Sequence, residues 1–117
     1  SYWPLLCCCL AAKNYATLYS QATLEPVKTY SDWLLNTPEN AAMSGSTVYV
    51  VTYNQQLNVY DRETGELLDS QFTPESLPKS VRVVNERSLL VSGRGFISLY
   101  DISNRVPQLI STEYLGY

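Results

Sequence analysis

TVYVVTYNQQLNVYD, Thr47 to Asp61, and SLLVSGRGFISLYD, Ser88 to Asp101, are two writings of one unit. Each has a run of β-branched, aromatic and aliphatic residues, a short polar or glycine-containing break, and a second run closing on Tyr-Asp. That order reads as strand, tight turn, strand. Tyr60-Asp61 and Tyr100-Asp101 lie forty positions apart, as do Pro38 and Pro78. A weaker copy stands upstream. CCCLAAKNYATLYS, Cys7 to Ser20, sets Leu18-Tyr19-Ser20 in the place of Val59-Tyr60-Asp61.

Outward from Thr47–Thr52, the second copy predicts four strands. Pro38 to Met43 reads as the end of a connection followed by a short strand, and Ser44-Gly45-Ser46 turns the chain into Thr47–Thr52. The latter is apolar on both faces, as a strand buried between neighbouring sheets must be. Asn54-Gln55 turns back into Leu57–Tyr60. Asp61 to Glu66 is a hairpin loop in which Asp61 accepts backbone N–H bonds and Gly65 takes positive φ, and Leu67–Phe72 is the outer strand. The third copy predicts Val81–Val84, Ser88–Ser92, Phe96–Tyr100 and Gln108–Tyr114. The first supplies Cys7–Leu10, Tyr15–Tyr19 and Pro26–Tyr30, with its inner strand missing or reduced to Ser1–Pro4. Ser31 to Asn36 is too short for a helix and serves as a connection. Proline stands at strand starts, where a ladder tolerates it: Pro38 and Pro78 match before inner strands, Pro26 and Pro107 before outer ones. A period of about forty residues with four short strands per unit is that of a β-propeller blade. The expected fold is all-β: about three four-stranded antiparallel blades of an incomplete ring, the first lacking its inner strand. Residues 1–36 form the partial first blade and its connection, 37–77 the second and 78–117 the third, together one propeller segment.

Composition narrows the function classes. Hydrophobic residues make up 45% and charged ones 16% of the 117 residues, a globular balance. Net charge is −3 and no Lys or Arg run occurs, which argues against nucleic acid as a partner. The longest apolar run, Leu5 to Ala12, is far short of the ~18 residues of a membrane span. SYWPLLCCCLAA reads as strand rather than as the end of a signal peptide, since it has no basic start. Cys7, Cys8 and Cys9 are consecutive and alternate faces on a strand, so they form no compact ligand set. They read as small buried hydrophobes in a reducing, intracellular compartment, with redox chemistry, palmitoylation and export as the alternatives.

There is no histidine, so Ser-His-Asp and Cys-His pairs are absent. Asp61, Glu63 and Glu66 would need several converging oxygens to hold calcium, and turn capping is the simpler role. Gly93-Arg94-Gly95 is a tight turn, because no helix follows to cradle phosphate. No catalytic residue, metal or cofactor is expected. What remains is a loop face carried by a rigid scaffold. Loops between second and third strands offer Lys13, Asn14, Tyr53, Asn54, Gln55 and Arg94. The connections between copies offer Trp33, Leu34, Asn36, Lys79 and nearby Arg82. Trp and Arg are enriched at interface hot spots. Trp33, beside Leu34-Leu35, either meets a partner or packs between blades.

GFISLYDISNRVPQLISTEY, Gly95 to Tyr114, resembles the LVIVD-type propeller repeat, with an aspartate closing its third strand and a proline leading to its fourth. LNVYDRETGELLDSQF, Leu57 to Phe72, is similar to the strand-turn-strand of quinoprotein-type and WD-type propellers. The chain departs from both latter patterns. Without histidine it has no Gly-His pair to bond the aspartate, and Trp3 and Trp33 do not stand where a quinoprotein docking motif needs tryptophan. Quinone binding is therefore not implied. Because propellers close with about four to eight blades, three imply completion by further blades of a larger protein or complex, or by pairing of two copies. The expected function is a non-catalytic scaffold segment for protein–protein interaction. An exported adhesion or carbohydrate-binding propeller, and the framework of an enzyme whose active site lies elsewhere, are the alternatives.

Overall fold

The computed structural model describes residues 5–8, 15–20, 25–31 and 38–115, with side chains at Glu25 and over 38–115. Strands β1 (Leu5–Cys8), β2 (Tyr15–Ser20) and β3 (Pro26–Ser31) form a first sheet. A second contains β4 (Pro38–Ser44), β5 (Thr47–Thr52), β6 (Gln56–Asp61) and β7 (Leu67–Phe72). A third contains β8 (Pro78–Asn85), β9 (Ser88–Gly93), β10 (Phe96–Asp101) and β11 (Gln108–Tyr114). Every sheet is an antiparallel meander in chain order. No helix occurs among the described residues, and the all-β antiparallel reading holds.

The repeat extends to irregularities of register. In all three sheets the strand beside the outer one slips against it just before a tyrosine, at Leu18/Tyr19, Val59/Tyr60 and Leu99/Tyr100. The inner strands slip one residue after their leading prolines, at Pro38/Asn40 and Pro78/Ser80. A bulge adds one unpaired residue and increases local twist. Pro38 and Pro78 are first residues of their strands, where a missing N–H costs no ladder bond. Gly45 turns the β4–β5 hairpin at φ +57°, a conformation with a steric cost for any residue carrying Cβ.

Several boundaries differ from those expected. β1 begins two residues earlier than Cys7, Ser31 ends β3 rather than opening the connection, and Cys9, Leu10, Ser1–Pro4 and residues 32–37 lie outside the described residues. β8 runs over Pro78–Asn85 rather than 81–84, because the bulge after Pro78 lets the strand start there. Pro26 and Pro107 are not register equivalents. Tyr60 pairs with Leu67, seven residues on, and Tyr19 with Pro26, also seven. Tyr100 pairs with Leu109, nine on, so the β10–β11 loop carries two extra residues.

The second and third sheets stack face to face, with β8 against β4 and β5. The second contributes Tyr49, Val51, Leu57 and Val59 to the shared core; the third contributes Val81, Leu89, Val91, Phe96, Tyr100 and Ile102. Ala42, Leu68 and Val83 close its margin. The other face of the second sheet, with Val48, Val50, Asn58 and Tyr60, is buried too, on the side where β1 and β2 approach β4. Every residue of β5 is consequently buried, which accounts for its apolar character on both faces. Each such aliphatic side chain removed from water contributes about 1.5–3 kcal/mol.

Candidate protein-interaction face

One end of the stack is built from the β5–β6 and β9–β10 turns and the β7–β8 connection. Tyr53 and Asn54 are exposed, Tyr53 at 54%. Gln55 has φ +65° and is spent on structure. Its Nε2 donates to the Thr73 carbonyl at 2.7 Å, and the Thr73 N–H donates to the Gln55 carbonyl at 3.0 Å. These bonds tie the hairpin to the connection leading to β8, so the two belong to one surface. In the third sheet Gly93 does equivalent work by having no side chain. A Cβ there would lie 2.5 Å from the Leu77 carbonyl oxygen and 2.5 Å from the Phe96 ring. Arg94 is exposed beside it. Lys79, in the β8 bulge, reaches Glu39 in the matching β4 bulge at 3.6 Å, joining the two inner strands at this end.

The structure therefore brings Tyr53, Asn54, Lys79 and Arg94 to one end and leaves them solvent-facing there. It uses Gln55 internally. Arg82 is not part of that end. It stands midway along β8, opposite Leu90, on the side of the third sheet turned away from the second. Lys13, Asn14, Trp33, Leu34 and Asn36 lie outside the described residues.

At the opposite end a clasp joins the two sheets. Arg105, in the lengthened β10–β11 loop, donates from Nη2 to Asp61 Oδ2 (2.8 Å), the Ser46 carbonyl (2.9 Å) and Ser46 Oγ (3.1 Å). Its Nε donates to Thr47 Oγ1 at 3.2 Å. The other carboxylate oxygen of Asp61 accepts N–H bonds from Glu63 (2.8 Å) and Thr64 (2.9 Å). The Thr64 N–H and then the Arg105 guanidinium hold the Asp61 carboxyl down at about 2. Glu63 pairs instead with Arg62 at 3.3 Å. Asp61 is thus a turn cap and a sheet-to-sheet anchor, and its oxygens do not converge with Glu63 on a cation site. The extra loop residues around a lone arginine were the one sequence signal of this clasp. The expected equivalence of Pro26 and Pro107 concealed it.

Asp101 repeats half of the arrangement. Oδ1 accepts the Ser103 N–H at 2.8 Å and the Ser103 hydroxyl at 2.7 Å. Those bonds, with Arg87 acting at longer range, lower its carboxyl below the usual aspartate value.

No protein-family profile matches the chain, and no curated protein matches it in sequence. Solved structures match it in shape. It is similar to the β-propeller domain of Myceliophteria thermophila Cps50 (Swd1), with a TM-score of 0.68, 10% identity and 92% of this chain covered. A computationally designed protein, Ika8, matches with a TM-score of 0.68 at 12% identity over 92% of the chain. A chain of Kuenenia stuttgartiensis hydrazine synthase matches with a TM-score of 0.71 at 14% identity over 88%. The chain spans 35%, 33% and 30% of those three chains respectively, about a third of each. Stacked antiparallel meanders, recurrent bulges and these likenesses define the class: a β-propeller fold, here an open run of sheets.

Proposed function

We propose that the chain is a non-catalytic propeller scaffold segment that binds protein through the end bearing Tyr53, Asn54, Lys79 and Arg94. The observation that carries this reading is the contrast between the two ends. At one, Arg105, Asp61, Ser46 and Thr47 are consumed in joining sheets. At the other, a tyrosine and an arginine project from turns whose backbones are fixed by Gln55–Thr73 bonds and by the close approach at Gly93. A rigid frame presenting Tyr and Arg loses little entropy on binding. The scaffold reading also gives Asp61 and Asp101 structural work in place of acid–base chemistry.

Site-specific photo-crosslinkers at positions 53 and 94, with a control at Thr64 on the other end, test the proposal in extracts of the source cell. The expected result is one shared protein adduct from 53 and 94, absent at 64 and reduced at least tenfold by Lys79→Ala. Equal crosslinking from both ends overturns the assignment of the face.

A further inference from the structure

The third sheet has an open side whose positions can be matched, strand by strand, to the covered side of the second. Leu90 stands where Tyr49 stands, Leu99 for Val59, Ile97 for Leu57 and Ile110 for Leu68. In the second sheet those four residues pack against the third. In the third, Ile97 is 39% and Ile110 57% exposed, and Leu90 and Leu99 are half-buried. The apolar centre of an interface is thus repeated, and the molecule itself shows what covers such a surface: another four-stranded sheet.

The polar margin is not repeated. Arg82 occupies the place of Ala42, and both pair with the residue at the Tyr49/Leu90 position. Arg87 occupies the place of Ser46, as the bonds from Arg62 N to the Ser46 carbonyl (2.7 Å) and from Ile102 N to the Arg87 carbonyl (2.9 Å) show. Ser46 accepts Arg105; an arginine side chain accepts nothing. Arg82 and Arg87 are both exposed and form no ion pair among the described residues. The second sheet offers Asp61 and Glu39 and receives Arg105 and Lys79. On its open side the third sheet keeps Asp101, carries Glu113 opposite Ile97, and adds the two cations Arg82 and Arg87.

We propose that the open side of the third sheet binds a partner sheet apolar at its centre and carrying carboxylates toward Arg82 and Arg87. An arginine-bearing loop like that of the third sheet would meet Arg87 and be rejected. Successive interfaces in the stack then differ in charge pattern, which fixes the order in which sheets assemble. This inference rests on the propeller reading of the chain but not on the Tyr53–Arg94 end, so either can fail alone.

The test appends a second copy of residues 78–115 to the full chain through a flexible linker and reads thiol labelling of Ile97→Cys by peptide mass spectrometry. Phe72→Cys serves as the exposed control. With the appended copy's Arg105→Glu, labelling at 97 is expected to slow at least tenfold relative to the unappended chain. With arginine retained it should slow less than threefold. Arg82→Ala with Arg87→Ser in the parent sheet should reverse that preference. Equal protection by both appended copies, protection by neither, or a preference that survives the double substitution overturns the proposal. Sedimentation of the unappended chain supplies the last arm. A dimer that Leu99→Asp dissociates assigns the face to a second copy and also overturns it.

Discussion

The second and third sheets share strand order, bulges and a Tyr-Asp closure, yet β5 is buried at every residue whereas β9 alternates. β7 is half-covered along most of its length, and β11 is exposed at all but one position. Local sequence is similar in the two, so the difference comes from neighbours. Among the described residues the second sheet lies between two others and the third has one neighbour. Burial in a stacked fold belongs to the interface rather than to the strand.

Two leucines adjacent in sequence break this comparison most directly. Leu89 lies in the shared core and Leu90 points to the open side. Leu89→Ala should cost about 2–5 kcal/mol in urea unfolding, the range for a cavity in a packed core. Leu90→Ala should cost less, about 1–2 kcal/mol in the chain alone, since part of its surface stays in water after folding. Equal losses would mean that the open side is already covered in solution.

The hairpins give the next largest contrast. Gly93→Ala drives a Cβ against the Leu77 carbonyl and the Phe96 ring, both at 2.5 Å, so backbone has to move. A destabilisation of about 1–3 kcal/mol is expected, as for overpacking. Gly45→Ala meets no atom within 4 Å and is strained only by φ +57°, which costs about 1–2 kcal/mol. Crystal structures of both variants should show a displaced β7–β8 connection in the first and an unmoved hairpin in the second.

Much of this architecture was legible in advance, and the reasons are local. Alternating or fully apolar runs broken by Asn-Gln or Gly-Arg-Gly specify strands and turns through residue types alone. The Tyr-Asp closures marked the ends of β6 and β10 to within a residue. Arg105 was illegible because its partners Asp61, Ser46 and Thr47 lie 44 to 59 residues away and belong to another sheet. Arg82 was misplaced for a related cause. Nearness to Lys79 in sequence does not hold along an extended strand, where three residues span about 10 Å. Gln55 reads as a surface amide, and only its positive φ and the Thr73 bonds show that it is used internally.

Acid should separate the two aspartates. Asp61 titrates at about 2 when folded against 3.8 ordinarily, so its contribution is present above pH 4 and disappears as pH falls through 2. Asp101 is lowered in the same direction by Ser103 without a direct ion pair. Asp61→Asn should flatten the acid limb of stability, measured by urea midpoints from pH 5 to 2, more than Asp101→Asn does. Arg105→Ala should reproduce part of the Asp61→Asn effect. Additive losses in the double variant would show that the clasp does not couple the sheets.

The smallest expected effect concerns the two tyrosines that close the repeats. Tyr60 and Tyr100 are both buried, but their hydroxyls differ. Asn58 Nδ2 donates to Tyr60 Oη at 3.3 Å, and Asn58 Oδ1 accepts from Ser70 at 2.6 Å. In the third sheet Ser98 stands in place of Asn58 and bonds Thr112 at 2.9 Å, too short a side chain to reach further. Tyr100 Oη is left buried without a partner among the described residues. Burial also pushes its phenol up to about 12, so the folded state holds this proton more tightly than the unfolded chain does. Stability linked to Tyr100 is therefore complete below pH 10 and is lost as pH rises toward 12. Tyr100→Phe should be neutral or stabilising by up to about 1 kcal/mol at pH 7, because it removes an unpaired polar group. It should also reduce the alkaline loss. Tyr60→Phe should instead cost about 1 kcal/mol, because it strips an acceptor from Asn58. If Tyr100→Phe proves the more costly of the two, a water or an incoming side chain already serves that hydroxyl, and the third sheet is more like the second than its contacts within the chain suggest.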